Sequence, residues 1–119
     1  MSCLFNSLSH FINLDSYSIR QTICNYLENN RPIIDGIETE LILSLDSSKD
    51  SYISNMRSTS TWGGAIEIQA ACNIWNLRII IINIRNNGNI PIEFIPINNN
   101  YNYTIKLSWN GFHYEPIRE

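Results

Sequence analysis

Residues 62–85 read WGGAIEIQAACNIWNLRIIIINIR, and this stretch determines the class of fold that the chain can adopt. The apolar side chains of its first half fall on two helical stripes: Ile66, Ala70 and Ile74, and Ile68, Ala71, Cys72 and Trp75. This pattern predicts a helix over Trp62 to Trp75 that is apolar nearly all round and buried between layers. Arg78 to Arg85 is almost continuous isoleucine, which predicts a strand covered on both faces.

Upstream of this stretch, the spacing of apolar residues predicts more helices. The first carries its apolar side on Leu4, Phe5, Leu8, Phe11 and Ile12, with Ser2 as a plausible N-cap. A second helix begins at a cap formed by Asp15 or Ser16 and ends before Pro32. Asp50 to Arg57 predicts a further helix, whereas Glu38 to Leu45 fits either a short helix or an extended segment.

Downstream, turn signals divide the chain into strands. Asn87-Gly88 predicts a tight hairpin turn before a strand over Ile90 to Ile95, which its flanking prolines place at a sheet edge. Tyr101 to Trp109, a turn at Asn110-Gly111 and Phe112 to Ile117 complete the pattern. Helices first and strands last predict one domain over residues 1–119, an α+β or α/β fold with a mostly antiparallel sheet flanked by helices.

Composition excludes several classes of protein. Among 119 residues, 16% are charged and the net charge is −3, which argues against a nucleic-acid binder that neutralises phosphates. The longest apolar run, Ile79 to Ile82, is too short to span a membrane. Three irregularly spaced cysteines and no secretory leader predict thiols in a reducing, cytoplasmic compartment. The 22 isoleucines, 17 asparagines and no valine are typical of AT-rich coding, which fits a large DNA virus or a protist.

Cys3 is a candidate nucleophile because of its position. A cysteine in the first helical turn meets outward-pointing N–H groups and the positive end of the helix dipole, and both favour the thiolate. The alternative is a small apolar residue near a frayed terminus. Cys24 and Cys72 lie on apolar helix faces and are expected to be inert core thiols.

His113 and Glu115 form a candidate base and its orienting group. In a strand the two side chains point to the same face, so the carboxylate can accept from one ring nitrogen and leave the other free to act as a base. Nucleophile, base and orienting residue are the parts of a thiol protease. The alternative is an exposed His/Glu pair on a solvated strand; His10, at a polar helix position, is expected to be a surface residue.

Four motifs, in order, carry a family resemblance. They are Cys3-Leu4-Phe5 at a helix start, Tyr52-Ile53-Ser54-Asn55-Met56, Trp62-Gly63-Gly64-Ala65-Ile66-Glu67 and His113-Tyr114-Glu115. Each is weak alone, but together, from Cys3 to Ile117, they resemble the ovarian-tumour (OTU) family of cysteine proteases.

The resemblance implies a papain-like α/β fold and hydrolysis of ubiquitin, or a ubiquitin-like modifier, from a lysine side chain, with no cofactor and no metal. Position by position, Cys3 matches the nucleophile, His113 the general base and Glu115 the orienting residue. The backbone around Ser2 and Cys3 matches the oxyanion site. Trp62, Gly63, Gly64 and Glu67 are expected to act as scaffold: the glycines allow close backbone approach and the carboxylate complements the dipole of its helix. A ubiquitin tail ends in Gly-Gly and would fit a narrow channel. The aromatic residues expected to line this channel are Trp109, Phe112 and Tyr114; the alternative is that they are core residues.

Two departures from the family pattern leave an alternative open. The family has an Asp-Gly pair just upstream of the nucleophile, whereas only Met1 and Ser2 precede Cys3 here, so either the N-terminus is longer or the oxyanion hole is incomplete. Glu115 stands where the family has Asp or Asn, and Asn110 is a conceivable substitute partner for His113. The alternative function is a catalytically impaired OTU-like module that binds ubiquitin without cleaving it.

Overall fold

The order of elements along the chain is helices first and strands last. The computed structural model describes residues 2–85 and 91–117. Within these ranges the helices are α1 (Cys3–Ser9), α2 (Ser16–Glu28), α3 (Thr39–Ser44), α4 (Lys49–Arg57) and α5 (Ala65–Trp75). The strands are β1 (Leu77–Asn83), β2 (Ile92–Phe94), β3 (Tyr103–Trp109) and β4 (Tyr114–Ile117).

Short polar side chains set where two of the helices begin. Asp15 accepts the N–H of Ser18 at 2.7 Å and so caps α2, as its sequence predicts. Ser48 caps α4 in the same way through the N–H of Ser51 at 3.3 Å. The ambiguous stretch from Glu38 to Leu45 is a helix, α3.

Two predicted helices are shorter than their apolar spacing indicates. α1 ends at Ser9, and the chain turns through Phe11 and Ile12, whose N–H groups both reach the carbonyl of Leu8. α5 begins at Ala65 rather than Trp62. The residues from Trp62 to Gly64 precede this helix, and we refer to them as its lead-in.

The four described strands form one sheet in the order β2-β1-β3-β4. β1 pairs with β2, and β3 with β4, in antiparallel fashion, while the central pair β1–β3 is parallel. The predicted mixed fold with a mostly antiparallel sheet and flanking helices is therefore confirmed. The turn predicted at Asn87-Gly88 lies outside the described residues.

The prediction that β1 is covered on both faces is wrong for one face. Ile79 and Ile81 are buried toward the helices, whereas Ile80 and Ile82 on the other face are half-buried. The main helix contact of β1 is with α5. An isoleucine run alone does not distinguish these two environments.

α5 is the central helix that its composition predicts. It packs against β1 on one side and α2 on the other, and Ile68, Ala70, Ala71 and Cys72 are all within the core. α1 enters the same core through Leu4, Phe5 and Leu8, each at most 1% exposed. Burial of a large side chain of this kind stabilises the fold by about 1.5–3 kcal/mol. Because α1 also contacts α2 and β4, it links the helices to the last strand.

Candidate active site

Cys3 is the first residue of α1, and its position is held through Ser2. The carbonyl of Ser2 accepts the N–H of Asn6 at 2.7 Å, which closes the first turn. Ser2 occupies the N-cap position, as the sequence predicts, but its Oγ makes no capping hydrogen bond. It accepts instead from Arg20 Nη2 at 3.3 Å. Cys3 itself is buried, with 8% of its surface exposed.

Arg20 is a buried arginine that sequence reasoning did not single out. It is 1% exposed, donates from Nη1 to the carbonyl of Met56 at 2.7 Å and places its guanidinium 4.2 Å from the centre of the Phe5 ring. Burial lowers the pKa of this guanidinium. A signal was present in the sequence: Arg20 shares i, i+4 and i+7 spacing with Cys24 and Leu27 on the apolar face of α2.

Gly63 lies against the helix that carries Cys3. A Cβ at Gly63 would lie 2.7 Å from Leu4 Cδ2 and 3.0 Å from Phe5 Cζ, so this position admits glycine alone without displacement. The predicted close approach is therefore present at Gly63. At Gly64 it is absent, since the nearest atom to an added Cβ is Glu67 Oε1 at 4.0 Å.

Glu67 fastens this lead-in to α5. Its Oε1 accepts the N–H of Gly64 at 2.8 Å, the dipole-complementing position that the sequence predicts. Its Oε2 accepts from the hydroxyl of Tyr52 at 2.6 Å, a partner that the sequence does not identify. The carboxylate is 1% exposed, and this burial raises its pKa although both hydrogen bonds oppose the shift.

The loop before β4 presents His113. The side-chain oxygen Oδ1 of Asn110 accepts the backbone N–H of Phe112 at 3.0 Å and of His113 at 2.8 Å. Gly111 has φ +103°, a conformation that L side chains rarely adopt. The predicted two-residue turn is therefore a four-residue loop, and β4 begins at Tyr114 rather than Phe112. Asn110 Oδ1 shapes this loop and does not orient the imidazole ring.

His113 and Glu115 are close together, as predicted, although His113 lies in the loop and only Glu115 lies in β4. The distance from His113 Nε2 to Glu115 Oε1 is 3.4 Å. The side chains are 50% and 67% exposed, respectively, so water competes for both groups. The pairing occupies Nε2 and leaves Nδ1 as the ring nitrogen available to another partner.

One open cleft of about 440 Å³ collects the three candidate catalytic residues. Cys3 comes from α1, while His113 and Glu115 come from the loop and strand at the far end of the sequence. Tyr114, between them, also lines the cleft, and burial raises its pKa. Asn6 and His10 line the same cleft from α1. His10 is exposed, as expected, but its place in the cleft that holds the candidate nucleophile was missed.

A second groove of about 340 Å³ adjoins the cleft at Tyr114. It is lined by the three aromatic residues that the sequence predicts for a substrate channel, Trp109, Phe112 and Tyr114. Its other lining residues are Trp62, Gly63, Gly64 and Gly111. The rings of Trp109 and Tyr114 lie 6.3 Å apart, and Phe112 is 70% exposed. We refer to this surface as the aromatic groove.

The other two cysteines have a different environment. Cys24 and Cys72 are fully buried, and burial raises their pKa to about 11 and about 12. Both therefore stay protonated near neutral pH, in agreement with the expectation of core thiols.

Among residues 2–85 and 91–117, no three His, Cys, Asp or Glu side chains cluster as a metal site would require. No described helix has the length and apolar character needed to cross a bilayer.

Comparison with known families settles the relationship. A family model described as OTU-like cysteine protease matches residues 2–114. The chain belongs to the OTU-like cysteine protease family. Among curated OTU proteins, the ubiquitin thioesterase OTU1 of Xenopus laevis is 27% identical over 74 residues, and that of Drosophila pseudoobscura pseudoobscura is 27% identical over 73 residues. These alignments cover 62% and 61% of this chain but 23% and 20% of the relatives.

Solved OTU domains have the same fold. An OTU domain in complex with ubiquitin superposes with a TM-score of 0.76 at 24% identity, covering 97% of this chain and 62% of that one. The OTUD1 OTU domain gives a TM-score of 0.68 at 18% identity, covering 99% and 79%. The viral OTU protease of Dera Ghazi Khan virus gives 0.66 at 19%, covering 98% and 76%.

Proposed function

We propose that this OTU domain is a cysteine-type deubiquitinase that hydrolyses isopeptide bonds to ubiquitin or a ubiquitin-like modifier. The observation that carries the proposal is the single cleft that holds Cys3, His113 and Glu115 in a chain of this family. Ubiquitin as the modifier is supported by two comparisons: the curated relatives are named ubiquitin thioesterases, and a structural neighbour was solved with ubiquitin bound.

The proposed roles follow from the placement of each group. Cys3 is the nucleophile, at a helix start whose first-turn N–H groups have no helical acceptors and face developing negative charge. Glu115 holds Nε2 of His113, so Nδ1 exchanges the proton with the thiol. The backbone of Ser2 and Cys3 supplies the oxyanion donors. The aromatic groove takes the Gly-Gly tail, because its glycine lining leaves room for main chain.

The proposed reaction has two stages. His113 accepts the Cys3 proton, and the thiolate attacks the carbonyl carbon of the modifier's terminal glycine. As the tetrahedral intermediate collapses, the C–S bond remains, the C–N bond breaks and the lysine amine leaves with the proton from His113. Water then gives a proton to His113 and attacks the thioester. The carboxylate of the modifier departs, and the thiol is restored.

The test is a ubiquitin probe with a thiol-reactive C-terminus, read by intact mass. We expect an adduct with the wild type and with Cys24→Ala and Cys72→Ala, and none with Cys3→Ala. In steady-state hydrolysis, Glu115→Ala should retain more turnover than Cys3→Ala, because loss of an orienting residue usually lowers the rate less than loss of a nucleophile. An adduct with Cys3→Ala would overturn the assignment of the nucleophile, and equal losses would overturn the ranking of roles.

A second candidate function is ubiquitin binding without cleavage. The observation that favours it is the weak pairing of His113 with Glu115. Glu115 is 67% exposed and lies 3.4 Å from the imidazole, so it holds the base less firmly than a buried partner would. Titration calorimetry separates the two functions: affinity for ubiquitin without turnover supports the binding module, and absence of affinity removes it.

We further propose a reducing intracellular compartment, because all three cysteines are free thiols.

A further inference from the structure

The catalytic cleft has a polar wall that the proposed chemistry does not use. Asn6 and His10 follow Cys3 at i+3 and i+7, which places all three on one face of α1 and its C-terminal cap. Both side chains line the cleft, and both residues are exposed. Across the cleft stand His113, Glu115 and Pro116.

The cleft and the aromatic groove have opposite characters although they adjoin at Tyr114. The aromatic groove is lined by rings and glycines, whereas the cleft offers an amide, imidazoles and a carboxylate. A substrate must leave the reacting carbon in two directions, one toward the acyl part and one toward the amine. The acyl part is a tail that ends in two glycines and needs little more than main-chain room. The amine belongs to a lysine on a polar polypeptide surface.

We propose that Asn6 and His10 form the binding subsite for the leaving-group side of the substrate, the polypeptide that carries the acceptor lysine. This inference rests on the proposed function and extends it to the other side of the scissile bond. The side chains of Asn6 and His10 hydrogen-bond polar groups of that polypeptide. The subsite therefore contributes to selection among conjugates and not to recognition of the modifier.

Geometry limits His10 to this role. His10 lies seven residues after Cys3, which corresponds to about 10 Å along the helix axis. At this distance His10 does not reach the scissile carbonyl. The same distance corresponds to about three residues of extended chain, which brings the polypeptide beside the acceptor lysine within reach of the imidazole.

Two substrates with the same acyl part and different leaving groups provide the test. One is ubiquitin joined to aminomethylcoumarin, whose leaving amine is small and rigid. The other is ubiquitin joined through an isopeptide bond to a lysine within a short peptide. For His10→Ala and Asn6→Ala we expect kcat/KM on the isopeptide substrate to fall about 5- to 10-fold, mainly through KM, as for one lost hydrogen bond. The coumarin substrate should be hydrolysed at the wild-type rate.

Two further variants serve as controls for this test. Asn13→Ala removes an exposed asparagine that does not line the cleft and should leave both substrates unaffected. His10→Gln should recover part of the loss, since an amide also forms hydrogen bonds. Equal losses on both substrates, or no loss on either, would overturn the subsite while leaving the deubiquitinase proposal intact. If the wild type hydrolyses neither substrate, the proposed function fails and the subsite fails with it.

Discussion

At the scale of single residues, Glu67 shows how burial changes the behaviour of an acidic group. Its carboxylate is 1% exposed and bonded to Tyr52 and Gly64, yet burial still raises its pKa above the ordinary value of 4.5. A carboxyl with a higher pKa in the folded chain binds more protons when folded than when unfolded. The contribution of Glu67 to the free energy of unfolding therefore decreases as pH rises from about 4.5 to the folded-state pKa, and is constant above it.

We expect Glu67→Gln to flatten this pH dependence, because glutamine does not titrate and its carbonyl can still accept the N–H of Gly64. The two proteins should differ least below pH 4.5, where the carboxyl is protonated in both states. Urea unfolding followed by tryptophan fluorescence between about pH 4 and pH 8 measures the effect. Glu40→Gln, at an exposed glutamate in the first turn of α3, is the matched control. A wild-type slope retained by Glu67→Gln would contradict this assignment.

At the scale of elements, the placement of α1 depends on its contact with the lead-in to α5. The backbone at Gly63 packs directly on Leu4 and Phe5, whose side chains are almost completely buried and cannot turn toward solvent. Since Leu4 follows Cys3, this contact also determines where the candidate nucleophile lies. The glycine of this motif is thus a packing requirement.

Gly63→Ala should destabilise the fold by about 1–3 kcal/mol, as overpacking of a filled core does. It should also slow formation of the ubiquitin-probe adduct, because α1 must shift to accept the methyl group. Chemical denaturation and the rate of adduct formation provide the two measurements. Gly64→Ala is the control, since the nearest atom lies 4.0 Å from its added Cβ; the loss of a glycine N-cap should cost under about 1 kcal/mol. Equal effects of the two substitutions would refute the packing explanation.

At the scale of the whole molecule, the candidate nucleophile and base come from opposite ends of the chain and meet because α1 packs on β4. Arg20 joins the helical part of this arrangement. From α2, its guanidinium reaches the carbonyl of Met56 in α4, the hydroxyl of Ser2 and the ring of Phe5. One buried side chain thus connects three helices.

Replacing Arg20 by Met should lower the free energy of unfolding by about 2–4 kcal/mol, because buried acceptors lose a charged donor. The measurement is a urea titration at pH 7. Arg78→Met is the matched control: Arg78 pairs with Glu93, but the side chains are 32% and 48% exposed, so its loss should cost under about 1 kcal/mol. A change at Arg20 no larger than that at Arg78 would show that the buried contacts contribute little.

Much of the candidate site was predictable because its signals are local. The spacing of Leu4 and Leu8 predicts a helix start at Cys3, and the i, i+2 spacing of His113 and Glu115 predicts their proximity, although His113 lies just before β4. Asn6 and His10 follow the same helical periodicity and were open to the same reasoning. The partners of Arg20 were not predictable, because its spacing indicates burial but not which distant carbonyl or ring it meets.

The sequence by itself determined the order of helices and strands, the buried α5, the candidate catalytic residues and the family. These features follow from periodicity, capping and motif order, which act over a few residues. Only the tertiary structure decided the parallel pairing of β1 with β3 and the half-buried outer face of β1. It also brought α1 against β4 to form one polar cleft beside one aromatic groove. These features arise from contacts between segments far apart in the chain, and such contacts leave no local pattern in the sequence.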